Sequence, residues 1–347
     1  MVNKKFILSI FFILVSAMPR PAFGDQKIKQ PNVSGQFYSA DPAQLSQDID
    51  GFFAKADIVP VVKHVEILVA PHAGYFYSGS VAAYSFKAVS QSKYKTVVIL
   101  APSHFFGFDG ISVWDEGAFA TPLGQVEVDS AFTKKLAAAN PKFYFEPKAF
   151  EKEHALEVEI PFLQKTFKDF KIVPVVMGMA SFPLLNDFAA ALKDIIGNRG
   201  DVLIVVSTDL SHYHEDGVAR KMDAVGLSFV KELDAQKVFA GNYQRSIEMC
   251  GFVPLTAAIL YAKLKGINHV DILHYGNSGD ASGDRRSVVG YSSVIMYRDG
   301  IAPPGGDSSK LNKNQKKKLL EIARSTIDQF VKTKKAPSVI ETDPRLL

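Results

Sequence analysis

The chain has 347 residues, 47% of them apolar and 22% charged, with a formal net charge of +4. This is an ordinary globular composition with room for one sizeable domain, and it excludes a disordered or fibrous chain. Much of the basic excess sits near the ends, in "NKK" and "KNQKKK", so no broad basic stripe with interleaved aromatics points to nucleic acid.

The first residues carry an export pattern. Lys4 and Lys5 precede an apolar run from Phe6 to Met18, and Ala22-Phe23-Gly24 supplies small residues where a signal peptidase reads. The run is shorter than the roughly twenty residues of a membrane anchor. Residues 1–24 are therefore expected to be a signal peptide, cleaved after Gly24. The mature protein is then periplasmic or extracellular, with no later membrane span; an uncleaved anchor is the alternative. Export gives weight to Cys250, the single cysteine. It has no partner within the chain. That leaves an inert buried residue, an intermolecular bridge, a metal ligand or a nucleophile.

Strand and helix patterns then alternate. "DPAQLSQDIDGFFAK" reads as a helix with Asp41 as cap and Pro42 at its first position. "VEILVA" (65–70) and "TVVILA" (96–101) read as buried strands running into "PHAGY" and "PSHFF", which place His72 and His104 in loops. "DSAFTKKLAAA" and "EHALEVEIPFLQKTF" have helical spacing. In the second, His154, Glu157 and Glu153 lie within a turn of one another, Glu159 and Glu151 are expected to face water, and Pro161 should kink or end the helix. "IVPVVM" (172–177) is a strand and "PLLNDFAAALKDII" a helix. "VLIVVS" (202–207) is a strand running into "TDLSHYH", with Asp209, His212 and His214. Asp209 is equally placed to cap a helix beginning in "DLSHYHEDGVARK".

"CGFVPL" sets Cys250 just ahead of a helix over "PLTAAILYAKLKG", where the dipole would favour a thiolate. "YGNSGDASGDRRSVVGY" reads as a turn-rich loop, with Asp280, Asp284 and Arg286 either reaching a ligand or packing the loop, before the strand "VVGYSSVIMY" (288–297). These elements predict an α/β domain with helices on both faces of the sheet, over residues 25–298. A Pro/Gly/Ser linker follows over 299–310, then a C-terminal amphipathic helix and tail over 311–347, with Leu319, Leu320, Ala323, Ile327, Phe330 and Val331 near one face.

Three strands thus end in loops bearing His72, His104, and Asp209 with His212 and His214. Four of the eight histidines lie in these loops. In open α/β sheets, ligands bind beyond the carboxyl ends of the strands. Two imidazoles and the Cys250 thiolate would make a three-ligand transition-metal site that favours iron, copper or zinc over magnesium or calcium.

"APHAGYFYSG", "APSHF", "EHALEVEIPF", "STDLSHYH", "CGFVP" and "NSGDASGDRRSVVGY" together resemble the Memo family, the B component of the AmmeMemoRadiSam system, over about residues 30 to 298. That family is similar in fold to the class III extradiol dioxygenases, which use non-haem iron. The resemblance implies a three-layer α/β/α sandwich with a mixed sheet and a site at one sheet edge. It implies iron or copper at His72, His104 and Cys250, with Asp209, His212 and His154 as catalytic or positioning groups beside it. The dioxygenases carry a carboxylate where this sequence has cysteine, so ring cleavage is not implied. "LNKNQKKKLLEIARSTIDQFV" resembles the opening helix of the Ammecr domain and is read as a truncated remnant. Ammecr-type and radical-SAM partners are implied too, although a radical-SAM partner needs a reducing compartment and export leads out of one.

Three functions compete: redox or oxygen-linked chemistry on an unknown small molecule at a mononuclear iron or copper site, a zinc-type hydrolase, and a non-catalytic binding or scaffolding protein on the same fold.

Overall fold

The apolar runs form the centre of one large mixed sheet. The computed structural model describes residues 27–298 other than 62, together with Arg324. The expected signal peptide, linker and C-terminal helix (Arg324 apart) lie outside the described residues. Among the described residues no helix is long and apolar enough to cross a membrane.

The elements run β1 (Ile28–Lys29), α1 (Pro42–Lys55), β2 (Val65–Ala70), α2 (Tyr75–Ala88), β3 (Thr96–Pro102), β4 (Ile111–Val113), β5 (Ala118–Thr121), β6 (Gly124–Glu127), α3 (Ser130–Ala139), β7 (Phe143–Tyr144) and α4 (Pro147–Glu151). They continue through α5 (Glu159–Thr166), β8 (Lys171–Met177), α6 (Phe182–Ile196), β9 (Val202–Ser207), β10 (His212–His214), α7 (Asp216–Lys231), α8 (Ala235–Tyr243), α9 (Phe252–Lys265), β11 (His269–Asn277), α10 (Ser278–Ser282) and β12 (Val288–Tyr297). The large sheet has the order β10-β12-β2-β9-β3-β8-β4-β7, with β11 also paired to β12. Its four central strands, β2, β9, β3 and β8, are parallel, while β12 and β4 flank them antiparallel. A small sheet of β1, β5 and β6 stands apart.

Alternate side chains of the central strands serve opposite faces. Ile67, Val69, Val98, Leu100, Ile204 and Val206 pack with residues of α3, α6, α7, α8 and α9. Leu68, Ala70, Val97, Ile99, Leu203 and Val205 pack with α1, α2, α4 and α5. Burial on both faces is why these strands read as unbroken apolar runs. The architecture is the three-layer α/β/α sandwich with a mixed sheet.

Five local expectations need correction. Residues 153 and 154 are irregular and 155–158 form a turn, so helix α5 starts only at Glu159. Backbone amides that would have continued a helix are held by the Glu153 carboxylate instead. Pro161 therefore neither kinks nor ends the helix; it sits in the first turn, where a missing N–H costs nothing. Glu159 does not face water: it is 1% exposed. No helix begins in the "DLSHYH" stretch, because β12 captures residues 212–214 as β10, and the helix starts at Asp216 with Glu215 as its cap. The "YGNSGDAS" stretch is ordered rather than loop: β11 runs to Asn277, which closes a capping box with Asp280 on α10.

The helical layer over α2 and α5 rests on aromatic packing. Phe162 is 1% exposed. It stacks on Phe86 at 5.1 Å and meets the Tyr75 ring at 5.0 Å. We expect Phe162→Ala to lower unfolding free energy by about 3–5 kcal/mol in denaturant titrations. A loss under about 1 kcal/mol would show that this layer does not hold the fold.

Candidate metal centre

The parallel order β2-β9-β3 makes the three loops neighbours, since each follows the carboxyl end of its strand. His72 follows β2, Asp209 follows β9 and His104 follows β3. The 153–158 segment adds His154. One ligand atom each from His72, His104 and His154 lies within 4.8 Å of the others. The His104 and His154 rings stack at 4.9 Å, and the His72 ring stands nearly perpendicular to His104 at 5.1 Å.

Each ring is held by a defined partner. Glu153, 5% exposed, accepts from the His104 backbone N–H at 2.6 Å and faces His104 Nδ1 at 2.9 Å. It also accepts from the amides of His154 and Ala155, both at 2.9 Å. His104 is thereby assigned a proton on Nδ1 and a free lone pair on Nε2, the usual arrangement of a metal-ligating histidine. His72 Nδ1 lies 2.8 Å from Ser207 Oγ. Ser207 has one proton and two oxygen neighbours, the Ala155 carbonyl at 2.7 Å and Glu159 Oε1 at 2.8 Å. Burial pushes the Glu159 carboxyl well above the usual carboxylate range. A neutral Glu159 can donate to Ser207 while Ser207 donates to Ala155 and accepts from His72 Nδ1–H, and every group is then satisfied. His72 Nε2 is again left without a proton.

Protonation suits metal binding. Burial, then the neighbouring His104 charge, lowers His72 well below its ordinary value. Burial, then His72, lowers His154 to about 4. Both offer neutral imidazoles at neutral pH. His104 also feels burial, but its hydrogen bond and ion pair with Glu153 prevail and raise it. Glu153 itself, despite burial, is held down to about 2 by His104 and the amides it accepts.

Cys250 sits beside this cluster, its Sγ 3.2 Å from His72 Nε2. It accepts from the Asp209 amide, also at 3.2 Å. Gly251, the residue before α9, permits this approach: a Cβ there would stand 2.5 Å from the Ser207 carbonyl oxygen. The helix terminus does not favour the thiolate against the other protein groups, because burial and the Asp209 carboxylate push the thiol up. Asp209 is buried, accepts from the His72 amide at 2.8 Å and lies 3.9 Å from His72 Nε2. Burial raises its pKa.

His212 stands outside the three-ligand cluster, yet its charge bears on Asp209 and His72. His214 is drawn away into an ion pair with Glu248 at 2.9 Å. Asp280 and Asp284 are occupied by arginines, Asp280 by Arg220 and Arg285 and Asp284 by Arg286, so they pack the loop. Glu157 anchors the amino-terminal segment through the Val33 amide and the Tyr38 hydroxyl. Sequence reasoning missed Ser207 and Glu159. Ser207 carried a faint signal, a polar residue closing an apolar strand; Glu159 carried none, because its helical position was misread.

The profile described as Memo-like protein matches residues 29–295. A MEMO1 family protein of Methanothermobacter thermautotrophicus is 34% identical over 275 residues, 77% of this chain and 99% of that protein. One from Aquifex aeolicus is 36% identical over 277 residues, covering 78% and 99%. One from Methanobrevibacter smithii is 35% identical over 281 residues, covering 78% and 99%.

The lowered His154 pKa sets an acid limit. The unfolded chain binds this proton below about 6.5 and the folded one only below about 4, so stability is full above 6.5 and lost as pH falls to 4. In chelator-treated protein we expect His154→Gln to remove roughly 3 kcal/mol of that loss. Parallel stability–pH curves for the two proteins between pH 7 and 4 would refute the assignment.

Proposed function

This chain belongs to the Memo family, and on that premise we propose that it is a mononuclear metal protein, with iron or copper held by His72 and His104 together with Cys250 and His154. The carrying observation is three imidazoles converging within 4.8 Å, two of them with Nδ1 already engaged by a protein oxygen. The donor set fits a transition metal: imidazoles flanked by a soft sulfur favour iron, copper or zinc over hard cations.

Bound there, an iron or copper ion would supply redox or oxygen-linked chemistry on a small organic molecule. The chain's own residues do the rest. Glu153 and Ser207 hold the imidazoles in orientation. Asp209, buried and beside His72, holds or releases a proton at its carboxylate, and His212 exchanges it with the outer rim. His154 stays neutral at working pH and is available as a ligand or proton acceptor.

A zinc-type hydrolase is the second reading, favoured by the three-imidazole set itself, since three histidines with an open position suit a water-activating zinc. Metal analysis of protein isolated from its native compartment separates the two. We expect about one equivalent of iron or copper, reduced at least tenfold in His72→Ala and His104→Ala. With copper(II) bound, a sulfur-to-metal charge-transfer band should appear and vanish in Cys250→Ser. Stoichiometric zinc with hydrolytic turnover would favour the second reading, and no metal after anaerobic reconstitution would end both.

A further inference from the structure

A cleft of about 470 Å³ opens against the metal centre, with His104 and Cys250 in its wall. The loop after β3, the end of β8, the end of α8 and the start of α9 enclose it. Its other walls include Phe105, Met179, Tyr243, Phe252 and Val253. Phe105 is 58% exposed, Met179 66% and Tyr243 56%, so three of the largest solvent-facing apolar side chains among the described residues converge on one concavity. Scattered apolar exposure is normal, but apolar exposure gathered in a cleft of ligand size marks a binding site.

The electrostatics narrow the occupant. No lysine or arginine lines the cleft among the described residues. Behind His104 stands the Glu153 carboxylate, and the Cys250 sulfur accepts from the Asp209 backbone amide. The Ser103 hydroxyl is spent on the Phe106 carbonyl at 2.7 Å. In the metal-free protein a phosphate or carboxylate would find no lysine or arginine to pair with and only the Tyr243 hydroxyl as an uncommitted side-chain donor, and it would lie near the Glu153 carboxylate behind His104.

We propose that this cleft binds an uncharged, predominantly apolar small molecule and presents it to the His104–Cys250 side of the centre. The inference deepens the reading of the site as a metal centre by naming the class of molecule it takes. It relies on that reading for what happens to the molecule, not for its binding.

A matched pair of fluorescent probes tests it: neutral N-phenyl-1-naphthylamine and its sulfonated anion, 8-anilinonaphthalene-1-sulfonate. Both are titrated into the full chain, with and without added cobalt(II), whose uptake is followed by its visible absorption. We expect the neutral probe to bind at least tenfold tighter than the anion. The exposed-site double variant Phe105→Ser/Met179→Ser should weaken it at least tenfold with thermal unfolding unchanged, and Met179→Lys should shift preference toward the anion. Equal or tighter binding of the anion, neutral-probe affinity untouched by these substitutions, or no binding of either probe would overturn the proposal. Selective neutral-probe binding without cobalt uptake would sustain the cleft and sink the metal reading. Cobalt uptake without neutral-probe binding would do the reverse.

Discussion

The Glu153 carboxylate ties together the loop after β3 and the turn before α5, the two parts of the chain that bring His104 and His154 into one cluster. One oxygen takes the His104 ring and the amides of His154 and Ala155; the other takes the His104 amide. A carboxylate accepting several N–H bonds is stabilised as the anion even when buried, so the group stays charged where an isolated one would neutralise. The charge orients His104, and the amide bonds stop a helix from forming through His154. The site turn exists because the backbone donates to this side chain instead of to itself. Glu157 closes the other end of the turn against Val33 and Tyr38, and Phe37 packs on the His154 ring at 4.8 Å. The amino-terminal segment is thus part of the site's support.

The sheet supplies the rest of the convergence. Three adjacent parallel strands release their chains at the same edge, and each loop carries one polar group to a common point. Cys250 reaches that point from the opposite layer, on the approach to α9. The close packing at Gly251 lets the two layers touch there, with its amide donating to Thr208 Oγ1 at 2.9 Å.

The central strands were legible because burial on both faces leaves little else for their sequence to say. The loop histidines were legible for a related reason: polar residues at the ends of apolar strands stand out. The segment 153–158 was not. Its apolar spacing is helical, and what overrides that local preference is the Glu153 carboxylate accepting the next two backbone amides. Nor was β10, whose three residues become a strand only because β12 lies beside them, with Tyr213 forced to a positive φ of 62° at the bulge. Glu159 was misread for a compound reason. Once the helix start moves, the face that Glu159 occupies moves with it, from solvent to the ring of His72's supporting hydrogen bonds.

Protonation states tie the supporting network to the chemistry. Through burial, His72 and His154 are neutral, Glu159 is an acid, and Cys250 and Asp209 both hold protons more tightly than usual. Glu153 alone is held firmly ionised, and it lies on the far side of His104 from the cluster's centre. The cluster is therefore close to electroneutral without a cation, which is how so many polar groups stay buried at tolerable cost. Two of its members, the thiol and Asp209, can still yield protons to balance incoming positive charge. The thiol touches His72 and also lines the apolar cleft beside His104, with Asp209 close to His72, so charge compensation is available where the centre meets the cleft.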